Sequence, residues 1–362
     1  MVWDLPLRLF HWSMVSVVFV TLITGYLAPE WWLDIHMRAG YALGCLLAFR
    51  FVWGFFGTYY SRFNSFPLSI KDSVEYLLSI IRTQPKTFTG HNPLGAWMIV
   101  VLLTTLVFLV LTGLVVLGGQ ENLGPLASAV NFSIGEMFED IHEILAGILI
   151  VLICIHLAGV FIDVRVFRHP VVKAMITGRK PGSADYTEIP GYGVLRGAIL
   201  ISLGIATVLF IGLQSNALPT DSWRAIKLPT VYGSECGDCH NPYHPSLQTK
   251  EAWQVIMETL SDHYGEDASL DEQTVAVISE FLQSNDALSF DTEVSHKIGR
   301  TESPSYRMTD TDYWKKKHKD IDQTVFKYPS VGSKVNCKGC HMDALTGRFD
   351  DAKIKLPKGD KK

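Results

Sequence analysis

Long apolar segments constrain the fold of this 362-residue chain more than any other feature. Five segments are long enough to cross a bilayer as helices, and they cover roughly residues 9–28, 36–56, 96–118, 141–163 and 196–214. Residues 214–362 are polar and charged, so the sequence predicts a membrane half followed by a soluble half. No small-residue cleavage site follows the first segment, which predicts a retained span rather than a signal peptide.

The charges between the apolar segments predict their orientation. Basic residues concentrate in the connections 57–94 and 164–196, whereas the connections 28–35 and 118–140 contain acidic residues and no Lys or Arg. The positive-inside rule places the two basic connections in the cytoplasm. The N-terminus is then cytoplasmic, and the fifth segment delivers the soluble half to the periplasm. We therefore expect a bacterial inner-membrane protein in contact with membrane lipid.

The soluble half contains the pentapeptide Cys-x-x-Cys-His twice, as Cys236–His240 and Cys337–His341. This pattern is the attachment signature of c-type haem, in which both thiols form thioethers and the His binds the iron. The sequence predicts two covalent haems on Cys236, Cys239, Cys337 and Cys340, with His240 and His341 as proximal ligands. Such attachment requires an oxidising compartment, in agreement with a periplasmic location. A zinc site or a redox dithiol would also use Cys-x-x-Cys, but neither explains the His that follows both copies.

Histidines in the membrane half are candidates for a functional site, because ionisable residues are rare in bilayers. The predicted topology places His36 and His142 near the periplasmic side, and His11 and His156 nearer the cytoplasm. His142 and His156 are 14 residues apart, on one helix face to within about 40° and about 21 Å apart along the axis. The offset predicts two b haems, with His36 paired with His142 and His11 with His156. The alternative is that these four are core histidines with ordinary hydrogen bonds. His91 directly precedes Asn-Pro, and we interpret it as a non-ligand.

Residues 1–190 resemble the di-haem cytochrome b subunits of nickel–iron hydrogenases and related prokaryotic cytochrome b(561) proteins. The resemblance rests on residues 2–12, on Gly90-His91-Asn92-Pro93 and on Ile141-His142-Glu143 with His156. It implies that four histidines of the first, second and fourth helices bind two b haems, and that electrons are exchanged with a membrane quinone. The fifth span and the soluble half depart from the hydrogenase subunit.

Residues 228–358 resemble the bacterial di-haem cytochrome c family. The matching stretches are 233–236, 261–268, Tyr313-Trp314 with His318, and 347–350. In that family both haems have two histidine ligands, which implies His263 and His318 as the distal ligands. The residues alone leave further candidates open. These are His244, as a surface histidine close to a haem, His296, which we expect to be solvated, and Met257, Met308 and Met342.

Charge is segregated along the soluble half. Residues 235–293 contain 13 acidic side chains against Lys250 alone, whereas residues 294–362 contain 9 acidic and 16 basic side chains. One interpretation is an ordinary solvated surface. The other is a docking patch for a small periplasmic cytochrome or another haem protein, because complementary charge steers weak and fast association.

Together these features predict an all-α protein. Residues 1–190 form a four-helix transmembrane di-haem bundle, residues 191–227 a fifth tethering transmembrane helix and linker, and residues 228–362 a mostly helical, loop-rich di-haem cytochrome c domain. The expected function is electron transfer between quinone and a periplasmic partner through two b haems and two c haems, as an oxidoreductase of the quinol–cytochrome c type. The alternatives are an electron-transfer and anchoring subunit for a separate periplasmic haem enzyme, and a haem-based sensor. Nothing indicates nucleic-acid binding, and the oligomeric state stays open.

Overall fold

The computed structural model describes residues 2–84, 86–180, 204, 226–301, 303 and 305–357. Over these residues the regular structure is helical and the only extended pairings are isolated bridges, which confirms the predicted all-α fold for this part of the chain. The helices are α1 Leu5–Tyr26, α2 Leu33–Phe56, α3 Ile70–Ile81, α4 Pro93–Gly119, α5 Phe132–Arg165, α6 Val171–Thr177, α7 Thr230–Glu235, α8 Lys250–Glu258, α9 Glu272–Ser284 and α10 Asp312–Lys317.

Four of these helices, α1, α2, α4 and α5, are long and apolar enough to cross a membrane. They correspond to the first four predicted spans, which are thereby confirmed as helices of sufficient length. Helix α5 begins at Phe132 rather than near residue 141. Asn131 accepts a hydrogen bond from the N–H of Ile134 at 3.0 Å and so satisfies a free donor of the first turn. The predicted fifth span lies outside the described residues, apart from Gly204.

Helix α3 is amphipathic. Its exposed apolar side chains are Ile70, Val74, Leu77, Leu78 and Ile81, while Ser73 and Tyr76 are buried. Ser69 caps the helix by accepting from the N–H of Asp72 at 3.3 Å. An exposed apolar stripe on a short helix suits the surface of a membrane.

The described residues belong to two compact units. The first comprises Met1–Ala28, Ile35–Leu114 and Phe138–Gln214. Its core is built from apolar side chains of α1, α2, α4 and α5, including Leu7, Phe10, Met14, Val18, Leu43, Leu47, Leu106, Leu109 and Leu149. The apolar packing of these four helices holds the membrane histidines in place.

Asp4 joins the start of α1 to the end of α2. Its Oδ1 accepts from the N–H of Leu7 at 2.8 Å and caps α1. Its Oδ2 accepts from Trp53 Nε1 at 3.0 Å, from Thr58 Oγ1 at 2.6 Å and from Ser61 Oγ at 2.8 Å. The Asp4 side chain is buried, so these donors replace the water that the carboxylate loses on folding.

The second unit comprises Pro29–Asp34, Val115–Met137 and Ser215–Lys362. Helices α7, α8 and α9 enclose a core of Tyr232, Trp253, Met257, Ile278 and Leu282. Met257 is a core side chain in this cluster, with an exposed fraction of 6%. The structure thus assigns Met257, one of the distal-ligand candidates, to packing.

Asp291 joins the segment Val115–Met137 to the rest of the second unit. Its carbonyl accepts from Asn122 Nδ2 at 3.1 Å, and its Oδ2 accepts from the N–H of Phe132 at 3.0 Å. The His296 ring stacks on Phe132 at 4.5 Å, with its Nε2 at 2.7 Å from Asp291 Oδ1. The expectation that His296 is solvated is therefore wrong, because its side chain is only 17% exposed and is held by a ring and a carboxylate.

Some of the basic side chains of residues 294–362 form ion pairs or hydrogen bonds within the second unit. Lys317 Nζ lies 2.9 Å from Glu30 Oε1 and 3.9 Å from Glu293 Oε1. Lys297 pairs with Glu136, and Arg348 Nη2 donates to the carbonyl of Glu121 at 3.1 Å. Part of this positive charge therefore binds acidic and carbonyl groups of the chain itself.

Candidate haem sites

The first Cys-x-x-Cys-His motif lies opposite His263. The ring centroids of His240 and His263 are 6.4 Å apart, and their planes are inclined by 22°. His240 Nδ1 lies 2.8 Å from the carbonyl of Asn241, and since a carbonyl only accepts, Nδ1 carries the proton and Nε2 keeps its lone pair. His263 is presented by a tight turn in which its N–H donates to the carbonyl of Glu266 at 2.8 Å.

The second motif lies opposite His318. The ring centroids of His318 and His341 are 6.1 Å apart, with an interplanar angle of 58°. His318 directly follows α10, and its Nδ1 donates to the carbonyl of Trp314 at 2.8 Å. The Trp314 indole stacks on the same imidazole at 4.2 Å and 14°. One helical turn thus fixes both the tautomer and the orientation of His318.

The first unit contains a third pair with similar spacing. The ring centroids of His36 and His142 are 6.3 Å apart, with an interplanar angle of 77°. His11 on α1 and His156 on α5 belong to the same unit. His91 belongs to neither pair, because its ring packs between Trp3 and Phe66, at 4.5 and 4.7 Å.

These spacings fit one iron between two imidazoles. With metal–nitrogen bonds of about 2 Å and each ring centroid about 1 Å beyond its nitrogen, two axial imidazoles place their centroids roughly 6 Å apart. The three observed separations lie between 6.1 and 6.4 Å. The ring separations in the pairs His240–His263, His318–His341 and His36–His142 therefore match the separation that one metal ion between two imidazoles requires.

The two cysteine motifs lie side by side, although about a hundred residues separate them in the sequence. Asn241, which follows the first motif, donates through Nδ2 to Oδ1 of Asn336, which precedes the second, at 2.7 Å. Tyr243 OH donates to the carbonyl of Val335 at 2.9 Å. A cleft of about 350 Å³ between the first motif and residues 331–336 is lined in part by Cys239 and His240.

The protonation of the motif residues argues against a redox dithiol. Burial raises the pKa of both the Cys236 and the Cys337 thiol to about 11, whereas reactive dithiols have a lowered pKa. Burial also lowers the pKa of His341 to about 4 and that of His263 and His318 below the usual value. These imidazoles are therefore neutral at pH 7, the form that can bind a metal.

The expectation that His244 lies at the surface is wrong. Its exposed fraction is 1%, and its ring contacts Phe290 at 5.0 Å in an edge-to-face arrangement. The N–H of Ser246 donates to its Nδ1 at 3.3 Å. The chain passes over the other side of the ring at Gly347, where a Cβ atom would overlap the imidazole.

We expect Gly347→Ala to destabilise the second unit more than Gly332→Ala. Both glycines have positive φ, +71° and +78°, so both substitutions incur a left-handed strain of about 1–2 kcal/mol. A Cβ at Gly332 meets open space, whereas at Gly347 it meets the His244 ring, and such overpacking adds about 1–3 kcal/mol. Denaturant unfolding of the full chain, followed by c-haem absorbance, measures both variants. Equal losses of unfolding free energy in the two variants would show that the His244 ring can move aside without destabilising the unit.

The comparisons with known proteins divide the chain into two parts. The family model of prokaryotic cytochrome b561 matches residues 2–178, and that of dihaem cytochrome c matches residues 232–349. The chain joins a cytochrome b561 domain to a dihaem cytochrome c domain. The two families imply a membrane electron-transfer protein with haem b and haem c, and both resemblances found in the sequence are confirmed.

The cytochrome b561 domain is similar to proteins named probable Ni/Fe-hydrogenase B-type cytochrome subunit. The protein from Bradyrhizobium diazoefficiens is 23% identical over 209 residues, which is 49% of this chain and 85% of that protein. The protein from Rhizobium leguminosarum bv. viciae is 23% identical over 210 residues, 49% of this chain and 87% of that protein.

The dihaem cytochrome c domain is similar to two solved structures. A dihaem cytochrome c from Rhodobacter sphaeroides is 28% identical, covering 34% of this chain and 98% of that chain, with a TM-score of 0.30. A dihaem cytochrome c from Shewanella baltica is 30% identical, covering 36% of this chain and 97% of that chain, with a TM-score of 0.29.

Sequence reasoning missed three features of these sites. One is the contact between the cysteine motifs through Asn241 and Asn336, for which a single sequence carries no signal. Another is the attachment of Val115–Met137 through Asp291. The third is a Thr-Gly dipeptide beside each of His36 and His142, which was visible as a short repeat in α1 and α4.

Proposed function

We propose that this chain transfers electrons between the membrane quinone pool and a periplasmic redox partner, through two b haems and two c haems. The observation that carries the proposal is the recurrence of one histidine spacing, 6.1 to 6.4 Å, in both domains. Each pair would hold one haem iron between its two imidazoles. Haem, once bound, supplies the one-electron chemistry, and the protein supplies ligands, orientation and a dry environment.

The ligand assignment follows the histidine pairs. His36 and His142 hold the b haem on the periplasmic side of the membrane, and His11 and His156 hold the b haem on the cytoplasmic side. One c haem would be attached through Cys236 and Cys239 and held by His240 and His263. The other would be attached through Cys337 and Cys340 and held by His341 and His318. The adjacency of Asn241 and Asn336 supports direct electron transfer between the two c haems.

The histidine pairs favour electron transfer over sensing. A haem sensor requires an axial position that a gas molecule can occupy, whereas two protein ligands leave the iron closed. His318 illustrates the point, because a hydrogen bond to Trp314 and a stacked indole hold its ring in one orientation. Ligands fixed in this way do not have to move when the iron changes its oxidation state.

A second function is suggested by the relatives of the membrane domain. They are named as subunits of Ni/Fe hydrogenase, so this chain can also serve as the membrane electron-transfer and anchoring subunit of a separate periplasmic enzyme. The two functions differ in the immediate donor. In the first the isolated chain oxidises quinol, and in the second it receives or delivers electrons only when the partner enzyme is present.

We expect a quinol to reduce the b haems before the c haems. The purified, oxidised full chain is mixed anaerobically with menaquinol or ubiquinol analogues, and the b-haem and c-haem absorption bands are followed separately in time. Sequential reduction supports the conduit. Reduction of all haems by dithionite but by neither quinol would contradict the quinone role and direct the search to a protein donor.

A further inference from the structure

Two matching niches receive the imidazoles of His36 and His142. Thr24 and Gly25 near the end of α1 contact His36, and Thr112 and Gly113 in α4 contact His142. The Thr Oγ1 to His Nδ1 distance is 2.9 Å in both. A Cβ atom at Gly25 would lie 3.4 Å from His36 Cε1, and one at Gly113 would lie 3.2 Å from His142 Cε1. The same dipeptide therefore supplies a hydroxyl and a bare backbone surface to each ring.

The hydrogen bonds define which ring nitrogen carries the proton. Thr24 Oγ1 lies 2.8 Å from the carbonyl of Val20, and Thr112 Oγ1 lies 2.9 Å from the carbonyl of Phe108. A hydroxyl has a single proton, so a threonine that donates it to its own helix can only accept from the histidine. Nδ1 of each histidine is then the donor, and the lone pair is on Nε2.

We propose that Thr24 and Thr112 are positioning residues that set the orientation and the reduction potential of the b haem held by His36 and His142. The inference rests on the proposed ligand role of these two histidines. A hydrogen bond donated by Nδ1 makes the imidazole a more basic ligand. A more basic ligand stabilises ferric iron more than ferrous iron and so lowers the potential of that haem. The bond also restrains ring rotation and helps to hold the 77° angle between the two planes.

The test replaces each niche threonine by valine, which keeps the shape and removes the hydroxyl. In the full chain we expect Thr112→Val and Thr24→Val to shift the redox equilibrium of one b haem toward the reduced form by up to about tenfold, equal to about 59 mV for a one-electron couple. The EPR g-anisotropy of the same haem changes, because it depends on the angle between the imidazole planes. The other b haem and both c haems keep their potentials, and Thr112→Ser restores the wild-type values.

Thr105→Val is the matched control. Thr105 lies in α4 two turns before Thr112, is buried, and bonds its own helix at the carbonyl of Val101 at 3.0 Å. Niche variants with the same potentials and EPR spectra as Thr105→Val would overturn the inference. Thr24 and Thr112 belong to different helices. If one of the two valine variants fails to fold, the potential and EPR spectrum of the other still test the inference.

A further variant separates this inference from the proposed function. His36→Ala removes a proposed ligand, and we expect it to abolish the signal of one b haem. If His36→Ala keeps both b haems, the ligand assignment and the inference both fail. If it loses one b haem while the niche variants resemble the control, only the niche inference fails.

Discussion

Replacing His142 with alanine should remove one b haem and leave the other b haem and both c haems in place. The ring of His142 lies 6.3 Å from that of His36, and a b haem has no covalent bond to the protein, so the loss of one axial ligand loosens the whole cofactor. The proposed assignment gives two b haems and two c haems per chain. The ratio of b to c haem, measured as pyridine haemochromes in the purified full chain, should therefore fall from 2:2 to about 1:2. Electron flow from quinol to the c haems should stop or become very slow.

His91→Ala is the control for this experiment. His91 is a partly buried histidine of the membrane domain, but its ring lies between Trp3 and Phe66. We expect this variant to keep both b haems. A His142→Ala protein with an unchanged b-haem content, or a His91→Ala protein that lacks one b haem, would contradict the proposed ligand pairing.

Replacing His318 with methionine should raise the reduction potential of one c haem and leave its covalent attachment intact. Cys337 and Cys340 continue to hold the porphyrin, so the variant changes the ligand without removing the haem. Methionine ligation raises haem potentials, within a range of roughly 0.8 V that axial ligands span. Potentiometry resolved by haem, together with optical and EPR signatures of methionine ligation, measures the change.

His296→Met is the matched control in the cytochrome c domain. His296 is also partly buried, but it pairs with Asp291 and stacks on Phe132 rather than facing a motif histidine. We expect its c-haem potentials to equal those of the wild type. A methionine signature in the wild-type protein, or a His318→Met protein with an unchanged spectrum, would show that His318 is not a distal ligand.

The fold of the membrane domain was largely predictable, because in a bilayer long apolar segments form helices. Four predicted spans correspond to α1, α2, α4 and α5. The start of α5 was not predictable from hydropathy, since the first turns of that helix carry Glu136, Glu139 and Asp140 and resemble a polar connection. Hydropathy reports where a chain is apolar, whereas a helix ends where its backbone donors and acceptors find other partners.

The histidines show the same difference between what a local pattern predicts and what depends on distant residues. Spacing on one helix related His142 to His156, and depth in the membrane suggested partners for each. His244 and His296 gave no comparable signal, and both expectations about their exposure were wrong. Whether a loop histidine is buried depends on distant residues, such as Gly347 over His244 and Phe132 against His296.

The sequence by itself determined the chemistry of this protein. Cys-x-x-Cys-His requires adjacent residues only, and apolar length is a local property, so both can be read without a fold. Only the tertiary structure decided which distal histidine faces which cysteine motif, how the motifs at Asn241 and Asn336 meet, and which hydroxyls contact the rings of His36 and His142. These are contacts between residues far apart in the chain. They exist because apolar packing brings the helices and loops together, and no local pattern encodes them.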